Sequence, residues 1–164
     1  METRRKVCLV GDFGVGKSSL VRRFVTNVFN ERYETTLGVQ MDTKNVALDT
    51  ANVRLVIWDI AGTNRFDTVS QRYLEGADGI LLVCDSTRWR TFHTALELAA
   101  QVRRVVETAA IIGLINKVDL VEQRDIVADE LTQQRVAGMV WHEVSALSGQ
   151  GVEAAFTELT RKVV

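Results

Sequence analysis

Gly11-Asp12-Phe13-Gly14-Val15-Gly16-Lys17-Ser18 is the stretch on which the reading of this chain turns. It fills the pattern G-x-x-x-x-G-K-[ST] at every fixed position, directly after the apolar run Val7 to Val10 and directly before a segment of helical period. Glycines at these places let backbone N–H groups turn inward around phosphate oxygens, and the helix that follows adds its positive N-terminal end. Lys17 supplies a point charge to the outer phosphates, and Ser18 a hydroxyl to magnesium. A merely structural glycine turn has no need of Lys and Ser straight after its last glycine. The candidate phosphate-contacting residues are therefore Asp12, Phe13, Gly14, Val15, Gly16, Lys17, Ser18 and Ser19. A cradle of this kind predicts a nucleoside triphosphate and leaves base and reaction open.

Outward from the cradle, apolar β-branched runs alternate with longer segments of helical period, which predicts the α/β class with a sheet covered on both faces. Candidate strands lie at about 5 to 10, 39 to 48, 53 to 59, 79 to 85, 110 to 116 and 139 to 144. The short turn Asp49-Thr50-Ala51-Asn52 suits a hairpin, so a six-stranded, mostly parallel sheet with one antiparallel edge strand is expected. Five helices are expected: from Gly16 to about 27, Phe66 to 75, Trp89 to 107, Val127 to 137 and Gly151 to 162. In the third, Leu98, Val102, Val105 and Val106 recur at core spacing.

The 164 residues fit one domain, 1–164, and 20 basic against 21 acidic side chains give no field suited to a nucleic-acid backbone or an anionic membrane. Apolar residues come in short runs, no span of about 20 is present, and the charged Met1 to Lys6 runs into a strand without a signal-peptide pattern. Cys8 and Cys84 stand inside apolar runs without metal-ligand spacing, which predicts buried reduced thiols in a soluble, cytoplasmic protein. Proline is absent, and nothing in the sequence assigns that absence a function.

Base choice comes from Asn116-Lys117-Val118-Asp119, at the C-terminal end of a candidate strand, where ligands of open α/β sheets bind. A carboxylate at Asp119 accepts both the N1–H and the exocyclic amine of guanine, a donor pair adenine lacks at that edge. Read alone, Asp119 also suits a helix cap. In sequence with the cradle, the motif favours guanine over the ATPase or kinase reading that the cradle alone allows.

With these motifs the chain resembles the Ras superfamily of small GTPases, and within it the Rab branch, over essentially its whole length. Tyr33-Glu34-Thr35-Thr36-Leu37-Gly38, Trp58-Asp59-Ile60-Ala61-Gly62 and Glu143-Val144-Ser145-Ala146-Leu147 complete the likeness. The resemblance implies a magnesium-dependent GTP/GDP switch of the P-loop fold, with effector, exchange and activating proteins as partners and a place in signalling or vesicle trafficking. It implies that Phe29 packs on the guanine, that Lys117 lays its stem along the base and that Asn116 braces the loop. Ser145 belongs to the last base motif, in which Ala146 offers its N–H to the guanine carbonyl. Thr36 reaches magnesium and the γ-phosphate, Asp59 holds magnesium through water, and Gly62 donates its N–H to the γ-phosphate. Catalytic roles fall to Lys17, Thr36, Gly62 and the residue at position 63. Met41, Trp58 and Tyr73 match an apolar patch between the switches, the candidate effector surface.

Two departures bear on turnover. Where the family usually has a water-orienting glutamine, this chain has Thr63, followed by Asn64. Phe13 stands where a small residue is common, and two readings are open: the ring crowds the γ-phosphate and any arginine finger, or it folds into a switch-loop cluster. Slow hydrolysis is expected, with a permanently GTP-loaded binding module as the alternative. Arg88-Trp89-Arg90 reads as a solvated helix entrance. The chain ends at Val164 without the cysteine-bearing tail that carries a lipid anchor in relatives; a truncated tail and an unlipidated protein both fit.

Overall fold

Parallel strands are buried on both faces, so they carry unbroken apolar runs rather than alternating ones. Val7 to Val10 and Gly79 to Cys84 do this, and in the computed structural model they form the middle of a six-stranded sheet. The structure describes residues 2–29, 36, 38–63, 68–126 and 138–164. Its strands are β1 (Thr3–Gly11), β2 (Val39–Ala47), β3 (Asn52–Ile60), β4 (Gly79–Asp85), β5 (Ala110–Asn116) and β6 (Trp141–Glu143), in the spatial order β2-β3-β1-β4-β5-β6. Among the described residues only β2 and β3 pair antiparallel, closed by a turn in which the Leu48 N–H donates to Ala51 O at 2.8 Å. The expected α/β sheet with one antiparallel edge strand is the sheet observed.

Four α-helices are present among the described residues: α1 (Lys17–Thr26), α2 (Thr68–Leu74), α3 (Trp89–Val105) and α4 (Val152–Val163). The helix expected over 127 to 137 lies outside the described residues. A short 3-10 turn at Val121–Gln123 was not foreseen. β1 begins two residues before the expected start, because Thr3 and Arg4 pair with Val53 and Arg54 of β3 although their polar side chains carry no apolar signal. β6 is shorter than expected, with three residues.

Alternate side chains of each central strand enter two cores. Cys8, Val10, Ile80, Leu82 and Cys84 face α2 and α3, meeting Leu74, Phe92, Leu98 and Val102. Val7, Leu9, Leu81 and Val83 face α1 and α4, meeting Leu20, Phe24, Phe156 and Leu159. Phe24 and Phe156 stack with centroids 4.0 Å apart, joining the two helices of that face. On the other face, the Trp141 ring meets Phe92 edge-on at 5.1 Å. Both cysteines are buried and unbridged, and burial pushes the Cys8 thiol up to about 12. No helix among the described residues is long and apolar enough to cross a membrane.

The parallel register gathers the chemistry at one edge. Gly11 ends β1 beside Val83, and Asp85 ends β4 beside Asn116 of β5. The cradle, the segment after Asp59, and the residues after Asp85 and Asn116 thus leave the sheet together, at the carboxyl ends of its strands.

Gly113 of β5 is a glycine for lack of space: a first side-chain carbon there would lie 2.3 Å from the Trp141 ring. Gly113→Ala should cost about 1–3 kcal/mol of stability by overpacking. The cost should shrink when Trp141 is cut to Leu, a coupling read by urea unfolding of the single and double variants. Equal costs in both backgrounds would remove Trp141 as the cause.

Candidate nucleotide-binding site

Three consecutive carbonyls of the loop between β1 and α1 are gripped from outside it. Arg88 Nη2 donates to Phe13 O at 2.8 Å, Lys117 Nζ to Gly14 O at 2.8 Å, and Asn116 Nδ2 to Val15 O at 2.9 Å. In a trans peptide the N–H and C=O point to opposite sides, so holding these carbonyls outward aims the amides of Gly14, Val15 and Gly16 into the loop. They join the first-turn N–H groups of α1, from Lys17, Ser18 and Ser19, which a helix leaves without internal partners. Gly16 sits at φ +96°, and a side chain there would run into Asn116 Nδ2 at 2.4 Å, so only glycine fits.

Lys17 is buried and donates to Gly11 O at 3.3 Å and Asp12 O at 3.2 Å. Burial lowers its ammonium to about 8, against the pull of Asp59 and Asp12. The Asp12 carboxylate is used within the protein: Oδ1 accepts from Phe13 N at 2.7 Å and Oδ2 from Thr94 Oγ1 of α3 at 3.3 Å.

Beside the cradle, three oxygens from distant parts of the chain converge. Ser18 Oγ lies 2.6 Å from Thr36 Oγ1 and donates to Asp59 Oδ2, which is 3.5 Å from Thr36 Oγ1. Asp59 Oδ1 is buried and accepts no hydrogen bond among the described residues. Burial raises this carboxyl above the usual range, while Ser18, Lys17 and Thr36 pull it down. An orphaned carboxylate oxygen beside two hydroxyls is a hard-oxygen set that fits Mg2+.

Gly62 lies against the cradle so closely that a side chain would meet Phe13 Cα at 2.8 Å and Asp12 O at 3.1 Å. Thr63 N donates to Gly11 O at 3.0 Å, tying the segment after β3 to the end of β1. The Phe13 residue is 55% exposed, so it is not folded into a cluster of the described residues.

On the base side, Asn116 is bonded at both ends, its Oδ1 accepting from Ala146 N at 3.2 Å. Ser145 Oγ donates to Asp119 Oδ1 at 2.7 Å. Asp119 is no helix cap, since the 3-10 turn beyond it starts from Leu120 without a side-chain cap. Lys117 holds a left-handed backbone, φ +66°, its carbonyl accepting from Ser86 Oγ at 3.0 Å. Phe29 packs half-buried at the rim of the α1–α4 core. Between the switches, Met41 stands opposite Trp58 across β2 and β3, and the Trp58 and Tyr73 rings lie 6.3 Å apart. Met41 is 60% exposed, whereas Lys6 Nζ covers the Trp58 ring at 3.8 Å.

Sequence reasoning missed Asp85. Its side chain is 2% exposed, Oδ2 paired with Lys117 Nζ at 2.9 Å and Arg88 Nε at 3.1 Å, and Oδ1 accepting from Thr87 N and Oγ1 at 2.9 and 2.7 Å. Burial alone raises a carboxyl, but Lys117 and Thr87 outweigh it and hold Asp85 below the usual range. The signal was present as an acidic residue closing an otherwise apolar strand. Arg88 stands exposed at the helix entrance, as expected, and is in addition one of the loop's anchors.

Comparison with known proteins agrees with this geometry. The family model described as Ras family matches residues 6–164. Ras-related protein Rab-1 of Theileria annulata is 38% identical over 161 residues, covering 95% of this chain and 72% of the relative. Ras-related protein Rab11A of Lotus japonicus is 36% identical over 160 residues, covering 96% and 71%. Ras-related protein Rab-25 of Homo sapiens is 35% identical over 160 residues, covering 96% and 75%. The chain belongs to the Ras family and is a small GTPase of the switch kind.

Proposed function

We propose that this protein binds GTP with Mg2+, hydrolyses it slowly to GDP, and presents a partner surface between its switches in the GTP state. The observation that carries the reading is the convergence of Ser18, Thr36 and Asp59 beside the phosphate cradle. Ser18 and Thr36 would hold the ion directly and Asp59 through water; bound there, Mg2+ neutralises phosphate charge. Lys17 and the inward amides stabilise the negative charge of the phosphates. Thr36 and the Gly62 N–H contact the γ-phosphate, so its loss releases both segments and changes the surface around them. Asp119, held by Ser145, selects guanine, and the long bond from Ala146 N to Asn116 leaves that N–H able to be shared with the base carbonyl. Phe29 and the Lys117 stem flank the base. The buried thiols suit a cytoplasmic setting.

Slow turnover follows from two side chains. Thr63 is too short to orient the attacking water as glutamine does, and the exposed Phe13 ring stands where an arginine finger from an activating protein would enter. Loss of such a finger costs about 10³ to 10⁵ in rate. The same two observations favour a second reading, a binding module that stays loaded with GTP.

Single-turnover hydrolysis of pre-bound GTP with Mg2+ separates them. Conversion to GDP over minutes to hours is expected, and GTP persisting unhydrolysed would favour the loaded module. Combining Thr63→Gln with Phe13→Ser should raise the rate about tenfold or more, since positioned groups contribute on the order of 10² or more; an unchanged rate would sink the account of slowness. Asp119→Asn should move base preference from guanine toward xanthine, by exchanging an acceptor for a donor. Undiminished GTP preference in a nucleotide competition assay would refute that assignment. Trp58→Ala should weaken GTP-dependent capture of a partner without changing nucleotide affinity, and unaltered capture would exclude this surface.

A further inference from the structure

The three outward carbonyls of the cradle are not anchored alike. Val15 and Gly14 are held by Asn116 and Lys117, both of the base motif. Phe13 is held by Arg88, which belongs to no motif and stands at the entry of α3. The Arg88 side chain is 46% exposed, yet its guanidinium is fixed at two points, Phe13 O at 2.8 Å and Asp85 Oδ2 at 3.1 Å. Its backbone is fixed as well: its N–H donates to Asp85 O at 3.0 Å, and its carbonyl accepts from Thr91 Oγ1 at 2.8 Å. The carboxylate oxygen that takes Arg88 also takes Lys117. Two cations thus meet on one buried carboxylate and reach from it to adjacent carbonyls of the loop.

The peptide between Phe13 and Gly14, like that between Val15 and Gly16, precedes a glycine of positive φ and needs such an anchor. Turning it over changes φ at Gly14, which sits at +68° and, as glycine, accepts either sign at little steric cost. The turned peptide would point a carbonyl, not an N–H, at the phosphates. The Phe13 N–H is already committed to Asp12 Oδ1 and gives no substitute donor.

We propose that Arg88, held by Asp85, is a positioning residue that keeps the Gly14 N–H aimed into the cradle and thereby sets how tightly the phosphates beyond the first are bound. The proposal rests on the guanine-nucleotide reading above. It differs from a general field effect, because at this position the two acceptors are met by two different nitrogens of one planar fork, Nη2 and Nε, which a single ammonium does not reproduce.

The test is displacement of a fluorescent GDP analogue from the full chain by GDP and by GMP, for the unaltered protein, Arg88→Ala and Arg88→Lys. GMP carries only the phosphate next to the ribose and serves as the internal control. Arg88→Ala should lose about tenfold in GDP affinity, the size expected for a lost charge-assisted hydrogen bond, with a much smaller loss for GMP. Arg88→Lys should recover only part of the loss. Equal losses for GDP and GMP would show a merely structural role and overturn the proposal, as would no loss, or full recovery by lysine. Displacement from the unaltered protein by ADP as readily as by GDP would instead bring down the guanine reading, and the proposal with it.

Discussion

The carboxamide of Asn116 is the contact on which the site depends. It is buried, gives Nδ2 to Val15 O of the cradle and takes Ala146 N of the last base motif on Oδ1. Three loops from three different strands are thereby held in one geometry by a single neutral side chain. A carboxylate of the same shape would have no donor for Val15, and an aliphatic side chain would leave both backbone groups buried and unpaired. Gly16 has no side chain because this amide occupies the space. The cradle's glycine and the base motif's asparagine are therefore one fitted pair, about a hundred residues apart in sequence.

Around that bridge, the edge of the sheet carries charges that the fold itself balances incompletely. Asp85 is fully paired, by two cations on one oxygen and Thr87 on the other. Asp59 and Lys17 are not in that condition: one carboxylate oxygen has no described donor, and the ammonium rests on two carbonyls. A buried charge without full compensation costs stability that a ligand of opposite charge returns. Under the proposed function nucleotide and cation would supply those opposite charges and link binding to folding stability through Lys17 and Asp59, whereas Asp85 is already paired within the fold.

The parts legible in sequence were those with a fixed local pattern. The cradle, the base motif and the six strands announced themselves by spacing and by apolar runs, and Ser18, Thr36 and Asp59 were placed together by resemblance before geometry joined them. Asp85 and Arg88 were not legible, because their roles arise from strand register: Asp85 neighbours Asn116 only through the pairing of β4 with β5. Gly113 was silent for the same reason, its constraint coming from Trp141 on the adjacent strand. The start of β1 was misjudged because polar residues pair there, and β6 is three residues long, with Val140 O and Val144 N each bonded to β5 just beyond its ends. The helix expected over 127 to 137 lies outside the described residues.

Phe13 shows how close packing couples the cradle to the segment after β3. Its carbonyl is held by Arg88 on one side, while its Cα forms the floor on which Gly62 lies. Gly62 admits no side chain because the backbone of Phe13 is that near, and Thr63 is tied by its N–H to Gly11. A shift of the Phe13 peptide would therefore move both the amide aimed at the phosphates and the surface under the second switch. The size of the ring at position 13 is then a separate matter from the position of its backbone: under the proposed function the ring would govern what can approach the γ-phosphate from outside, and the backbone how the protein holds it from within. In this chain the backbone of Phe13 is secured by Arg88, while its ring stays exposed.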